Sequence, residues 1–112
     1  MVKFGAVTFS GKSGEKYYFQ VWPLETRFRS VAAVYFVTKR VRENQTYDRA
    51  CHEGIYIGQT ENLTGLFATQ SRLDLFKKHG ANCVCVYLVK NEERRLAVEQ
   101  DLIAVHTPPC NA

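Results

Sequence analysis

Ser30 to Thr38 reads Ser-Val-Ala-Ala-Val-Tyr-Phe-Val-Thr, a β-branched and aromatic run that is apolar on both faces. A strand of that kind belongs at the centre of a sheet, covered on each side. Gly54 to Gly58 is a second apolar strand, and Cys83 to Val89 is a third, continuous run of valines and tyrosine. Everything else in the chain has to be arranged around these three segments.

The N-terminal part supplies a β-hairpin. Val2 to Ser10 and Lys16 to Trp22 are both β-prone, the cluster Gly11-Lys12-Ser13-Gly14 makes the turn between them, and Pro23 ends the second arm. Lys39 to Glu53 is polar, charged and aperiodic, which predicts a long loop. Asn62 to about Gln70 predicts a short helix capped by Asn62 or Thr60. Arg72 to His79 predicts a second helical piece stopped by Gly80. A longer helix follows from Asn91, its cap, to His106, and Pro108-Pro109 stop it. Strands first and helices gathered later indicate an α+β chain with antiparallel pairs. The length of 112 residues fits a single domain, 1–112, with 46 % apolar residues to fill one core.

Net charge is +4, unevenly spread. Residues 1–50 carry nine Lys and Arg against four Asp and Glu, and residues 51–112 carry six against seven. A basic half favours polyanions. The run Lys39, Arg40, Arg42 and Arg49 could contact phosphates, or could be an ordinary solvated charged turn. The four cysteines, at 51, 83, 85 and 110, lack zinc-type spacing. With no long apolar run and no visible secretory signal, the reading is of a cytoplasmic protein with reduced thiols and no membrane partner.

Glu99 is the anomaly of the last helix. At about 100° per residue it projects between Leu102 and Ile103, within a stripe formed by Leu96, Val98, Leu102, Ile103 and Val105. The solvent face already holds Glu92, Glu93, Arg94, Arg95 and Asp101. An unpaired carboxylate in a core costs several kcal/mol, so a base, a hydrogen-bond network or a metal ion should accompany it.

Two strand ends carry tyrosine, as Ala33-Val34-Tyr35 and Tyr56-Ile57-Gly58. The second is followed by Gln59-Thr60-Glu61-Asn62-Leu63 and a helix. Glu99-Gln100-Asp101-Leu102-Ile103 comes later, then His106, Pro108 and Asn111. This ordered set, from about Val31 to Asn111, resembles the GIY-YIG nuclease family. The resemblance implies a central sheet of three antiparallel strands flanked by helices over 31–111, with 1–29 as an added hairpin. It also implies hydrolysis of a phosphodiester bond in DNA or RNA with Mg²⁺ or Mn²⁺. Glu99 would hold the metal, Tyr35 and Tyr56 would line the site and orient or deprotonate the attacking water, and Asn111 would tie the tail close by. Gly58 permits a tight strand exit at the same place.

The chain departs from the family pattern at two positions. The Arg of N-L-x-x-R is Leu66 here, and the His or Tyr one turn later is Gln70. Arg72 lies six positions after Leu66, about 240° round a continuous helix, and so points elsewhere unless the helix breaks near Ser71. Losing a stabiliser of transition-state charge costs a factor of roughly a hundred to a thousand in rate. Losing a proton carrier costs a comparable factor, roughly a hundred to ten thousand. The resemblance therefore implies an impaired endonuclease. The alternative is a catalytically silent module that binds nucleic acid or a protein partner. A weaker third reading is an oligomer formed through the aromatic hairpin residues Tyr17, Tyr18, Phe19 and Trp22, which are more often core.

Overall fold

A computed structural model of the chain describes residues 3–42, 50–66 and 70–111. Strands β1 (Gly5–Ser10) and β2 (Lys16–Pro23) form the expected hairpin, with Ser10 opposite Lys16 and Gly5 opposite Val21. Alternation sends Phe9, Tyr17, Phe19 and Val21 inward. Strand β3 (Ala33–Arg42) is buried without a break from Ala33 to Thr38, as an apolar strand covered on both faces must be. Strands β4 (Ala50–Thr60) and β5 (Cys83–Leu88) pair with it on either side.

The described residues make one antiparallel sheet in the order β1-β2-β5-β3-β4. It has five strands, not three. The hairpin continues the sheet through β2 and β5, from Gln20 opposite Val86 to Pro23 opposite Cys83. The reason is visible in β5: four consecutive buried residues, Cys83 to Val86, need cover on both faces, and a three-stranded sheet would leave a whole edge of that strand unpaired.

Of the expected loop from Lys39 to Glu53, the described residues, 39–42 and 50–53, are strand, and 43–49 lie outside the described residues. β3 and β4 run on past the core, with Lys39 opposite Glu53 and Arg40 opposite His52. Charged residues conceal a strand from a reading based on hydrophobic alternation, yet opposite charges across a ladder support it. A bulge between Val37 and Thr38 shifts the register. Gly54 lies there against Phe36, whose ring a Cβ would meet at 2.6 Å.

Helix α1 (Gln70–Lys78) packs Leu73 and Phe76 on one face of the sheet, against Tyr35, Val37 and Tyr56, and Gly80 ends it with φ +89°. Of the helix expected from Asn62 to about Gln70, the described start is a 3₁₀ turn, Leu63–Gly65, which Asn62 caps by accepting from Thr64 N at 2.9 Å, and 67–69 lie outside the described residues. Helix α2 (Glu92–His106) packs Val98 and Leu102 on the other face, with Asn91 accepting from Arg94 N at 2.9 Å as its cap. The buried stripe of α2 is narrower than expected. Leu96 and Val105 are exposed, whereas Arg95 is buried. Arg95 donates to Gln59 Oε1 at 3.0 Å and to the carbonyls of Lys90 at 2.7 Å and Val89 at 3.3 Å, so its charge is dispersed over three oxygens.

Polar bonds fasten α2 to the hairpin. Asp101, expected on the solvent face, accepts from Ser13 Oγ at 2.7 Å, Ser13 N at 2.9 Å and Tyr17 Oη at 2.7 Å. Gly11 leaves the room for that carboxylate, because a Cβ there would collide with it. Arg94 pairs with Glu15 at 2.7 Å, and His106 Nε2 lies 3.0 Å from the Ser10 carbonyl. None of the four cysteines is in a disulfide, and Cys83 and Cys85 are buried on the α2 face.

Candidate active site

Register places the two tyrosines. Tyr35 stands opposite Gly58, and Tyr56 stands opposite Val37, so both phenols lie on the α1 face of adjacent strands. Their ring centroids are 6.0 Å apart. Gly58 is required by that pair. A Cβ there would fall 2.5 Å from Tyr35 Oη and 2.8 Å from Tyr56 Cε2. The Tyr35 ring is buried, and burial pushes its phenol well above the usual tyrosine range, outweighing the opposing pull of the nearby Arg72 guanidinium. It is therefore a neutral hydrogen-bonding group near neutral pH.

Arg72 enters this site, against the expectation that it points elsewhere. Its Nη2 donates to Tyr35 Oη at 2.8 Å. Its guanidinium carbon stands 4.9 Å from the Tyr56 ring centroid and 5.6 Å from that of Phe76. The angular count from Leu66 fails because Leu66 closes a 3₁₀ turn, from which a count at about 100° per residue does not run. Within α1, Arg72 and Phe76 are an i, i+4 pair and share a face, which was the available signal. Among the described residues no carboxylate pairs with Arg72. A guanidinium carries five N–H donors, so most remain free for an anion.

Leu66 is buried among Leu63, Leu73 and Phe76. The position that carries a cation in N-L-x-x-R is thus part of the core in this chain. Gln70 opens α1, and its side chain lies outside the described residues.

Glu99 is half-buried on α2. Burial raises its carboxyl above the ordinary value, and hydrogen bonds from the Gln100 side chain (3.4 Å) and the Gln59 backbone N–H pull it partly back. Asn111, in a 3₁₀ turn after α2, accepts from Ile57 N and donates to Ile57 O, both at 2.8 Å. Both residues therefore bind the free edge of β4. Gln59, held by Glu99, follows Gly58, against which Tyr35 is packed. The carboxylate lies near Gln59 at the outer edge of β4, and the phenol packs on its neighbour Gly58 across the α1 face.

The residues present fit a divalent ion in one specific sense. Glu99 has no cationic partner among the described residues, and two hydrogen bonds leave part of its lone-pair capacity unused. One carboxylate completed by water and phosphate oxygens is an ordinary arrangement for Mg²⁺. An all-protein cage is not, and no group of three or more His, Cys, Asp or Glu gathers among the described residues.

The expected basic patch divides. Lys39 lies on the α1 face, packed on Gly80, while Arg40 stacks on Phe4 at 5.0 Å and its backbone pairs with the Asn82 side chain. The Arg42 side chain and the whole of Arg49 lie outside the described residues. Of the hairpin aromatics, Tyr17 and Phe19 are core and Tyr18 is exposed.

Compared with family models, with curated proteins and with solved structures, the chain matches none. Among the described residues no helix is long and apolar enough to cross a membrane.

Proposed function

We infer that the chain is a phosphodiesterase domain of the GIY-YIG type, acting on DNA or RNA, in which Arg72 supplies the cation that Leu66 does not. The observation that carries this reading is the Arg72 guanidinium, 2.8 Å from Tyr35 Oη, stacked on Tyr56 and unpaired with any described carboxylate. Stacking fixes the plane of the fork, so the free N–H groups meet a phosphate already oriented. Charge that grows on the phosphate oxygens in the transition state is then met by a donor that need not reorganise. Tyr35, held neutral, positions a water or a phosphate oxygen as a hydrogen-bonding group rather than as a base. Tyr56 forms the platform for Arg72. Glu99 would hold the Mg²⁺ or Mn²⁺, which when bound neutralises phosphate charge and activates water. Asn111 holds β4 in place beside Glu99.

The second reading is a silent binding module on the same fold. It is favoured by Gln70, which cannot carry a proton, and by the neutral Tyr35 phenol, which offers no base. Incubation with supercoiled plasmid and Mn²⁺ separates the two. The nuclease reading expects nicking that falls by about a hundred- to a thousandfold in Arg72→Ala and disappears in Glu99→Ala. Equal nicking by all three proteins overturns it. A salt-sensitive mobility shift without nicking supports the silent module.

A further inference from the structure

A cleft of about 440 Å³ opens on the α1 face of the sheet, beside α1. Trp22 and Phe28 stand edge to face in its wall, 6.0 Å apart and at 89°. Val31, Leu63, Val86 and Leu88 complete an apolar lining. The rim is cationic. Arg27 and Arg29 lie on it without a described partner, while the charge of the neighbouring Glu25 is taken up by Lys77. The cleft is in line with the candidate active site. Gln20, on its floor, stands opposite Val86, and Val86 stands opposite Tyr35. Two strand spacings separate Gln20 from Tyr35, about 10 Å.

We propose that this cleft takes an unpaired base of a nucleic-acid strand, stacked on Trp22 or Phe28, with Arg27 and Arg29 on the flanking phosphates. The inference rests on the reading of the Tyr35–Arg72 site as a phosphodiesterase centre and names its substrate class: a strand with single-stranded character. Every base has a π-face, so an apolar cleft that offers an aromatic ring accepts bases without reading their sequence. A duplex keeps its bases stacked on one another and offers none to the slot. Charge decides against an apolar peptide as occupant, because two guanidinium groups with no partner among the described residues border the slot, and the nearby Glu25 pairs with Lys77.

Trp22 is the sole tryptophan in the chain, so it reports on the cleft directly. The test is a fluorescence titration, without divalent cation, using a short oligothymidylate and a blunt duplex of the same length. The oligothymidylate should quench Trp22, and the duplex should do so only at much higher concentration. Phe28→Ala should weaken single-strand binding roughly tenfold or more. The pair Arg27→Ala and Arg29→Ala should reduce the slope of log affinity against log salt by about 1.4, two phosphates' worth for a single strand. Should Phe28→Ala fail to fold, Leu88→Glu decides, because Leu88 is exposed and a carboxylate there repels the strand. Unchanged single-strand affinity in these variants overturns the inference, as does equal quenching by the duplex, or quenching by a phenylalanine-rich peptide but not by the oligonucleotide. The plasmid assay keeps the two readings apart. Nicking that depends on Arg72 and Glu99, with no Phe28-dependent quenching, leaves the nuclease and removes the slot. Phe28-dependent quenching without nicking does the reverse.

Discussion

The two faces of the sheet treat their charges in opposite ways. On the α2 face the described charges near the core are answered, with half-buried Glu99, at the edge beside β4, as the exception. Asp101 is held by Ser13 and Tyr17, Arg94 by Glu15, and Arg95 by three oxygens, while buried Thr38 bonds His52 Nδ1 at 2.8 Å. On the α1 face Lys77 pairs with Glu25, but Arg72, Arg27 and Arg29 meet no described carboxylate, and a cleft bordered by Arg27 and Arg29 lies open. The first pattern locks the hairpin and α2 into the fold. The second leaves positive charge and apolar surface available to something outside the chain. Satisfied polar groups speak for architecture, and unsatisfied ones in a concave setting speak for a ligand.

That contrast can be broken by experiment. The largest stability effect belongs to the closed face: Arg95→Met strands three acceptors and should cost about 2–4 kcal/mol in denaturant unfolding. Gly58→Ala should come next, at about 1–3 kcal/mol from overpacking against Tyr35 and Tyr56, and it should also abolish plasmid nicking by displacing the phenols. Asp101→Asn should change the shape of a Tm-against-pH curve. Hydrogen bonds from Ser13 and Tyr17 hold the folded Asp101 carboxyl below its ordinary 3.8. The unfolded chain therefore binds the proton first as pH falls. Stability from this group is complete above pH 3.8 and drains away as pH drops through the folded value. The variant should sit below the unaltered protein near neutrality and converge with it in acid. Arg94→Ala should have the smallest effect, with no resolvable change in Tm or in nicking, since the pair it breaks is exposed. Lost nicking in Arg94→Ala would erase the distinction between the faces.

Much of the fold could be read from local chemistry. The apolar runs located every described strand, and Asn62, Gly80 and Asn91 marked turns and helix ends where they occur. Two things could not be read locally. The union of β2 with β5 joins segments more than sixty residues apart, and neither carries a mark of its partner. The strand character of Lys39 to Arg42 was hidden because its side chains are charged. The candidate site was legible in part. Tyr35, Tyr56, Gly58, Glu99 and Asn111 were picked out by residue type and order, and the structure brings them to β4 and the strand beside it. Arg72 was missed because an α-helical angle was counted from Leu66, which closes a 3₁₀ turn. Arg27, Phe28 and Arg29 were missed because a segment without regular structure shows no periodicity from which to infer a wall.

Asn111 has a consequence for how the protein behaves in company. Its carboxamide presents one donor and one acceptor to Ile57, the same pair that a neighbouring β-strand would offer. It thus serves as a one-residue counterfeit strand, plugging the rim where another polypeptide would otherwise add on. Asn111→Ala should raise concentration-dependent self-association above that of the unaltered protein, before the fold itself gives way.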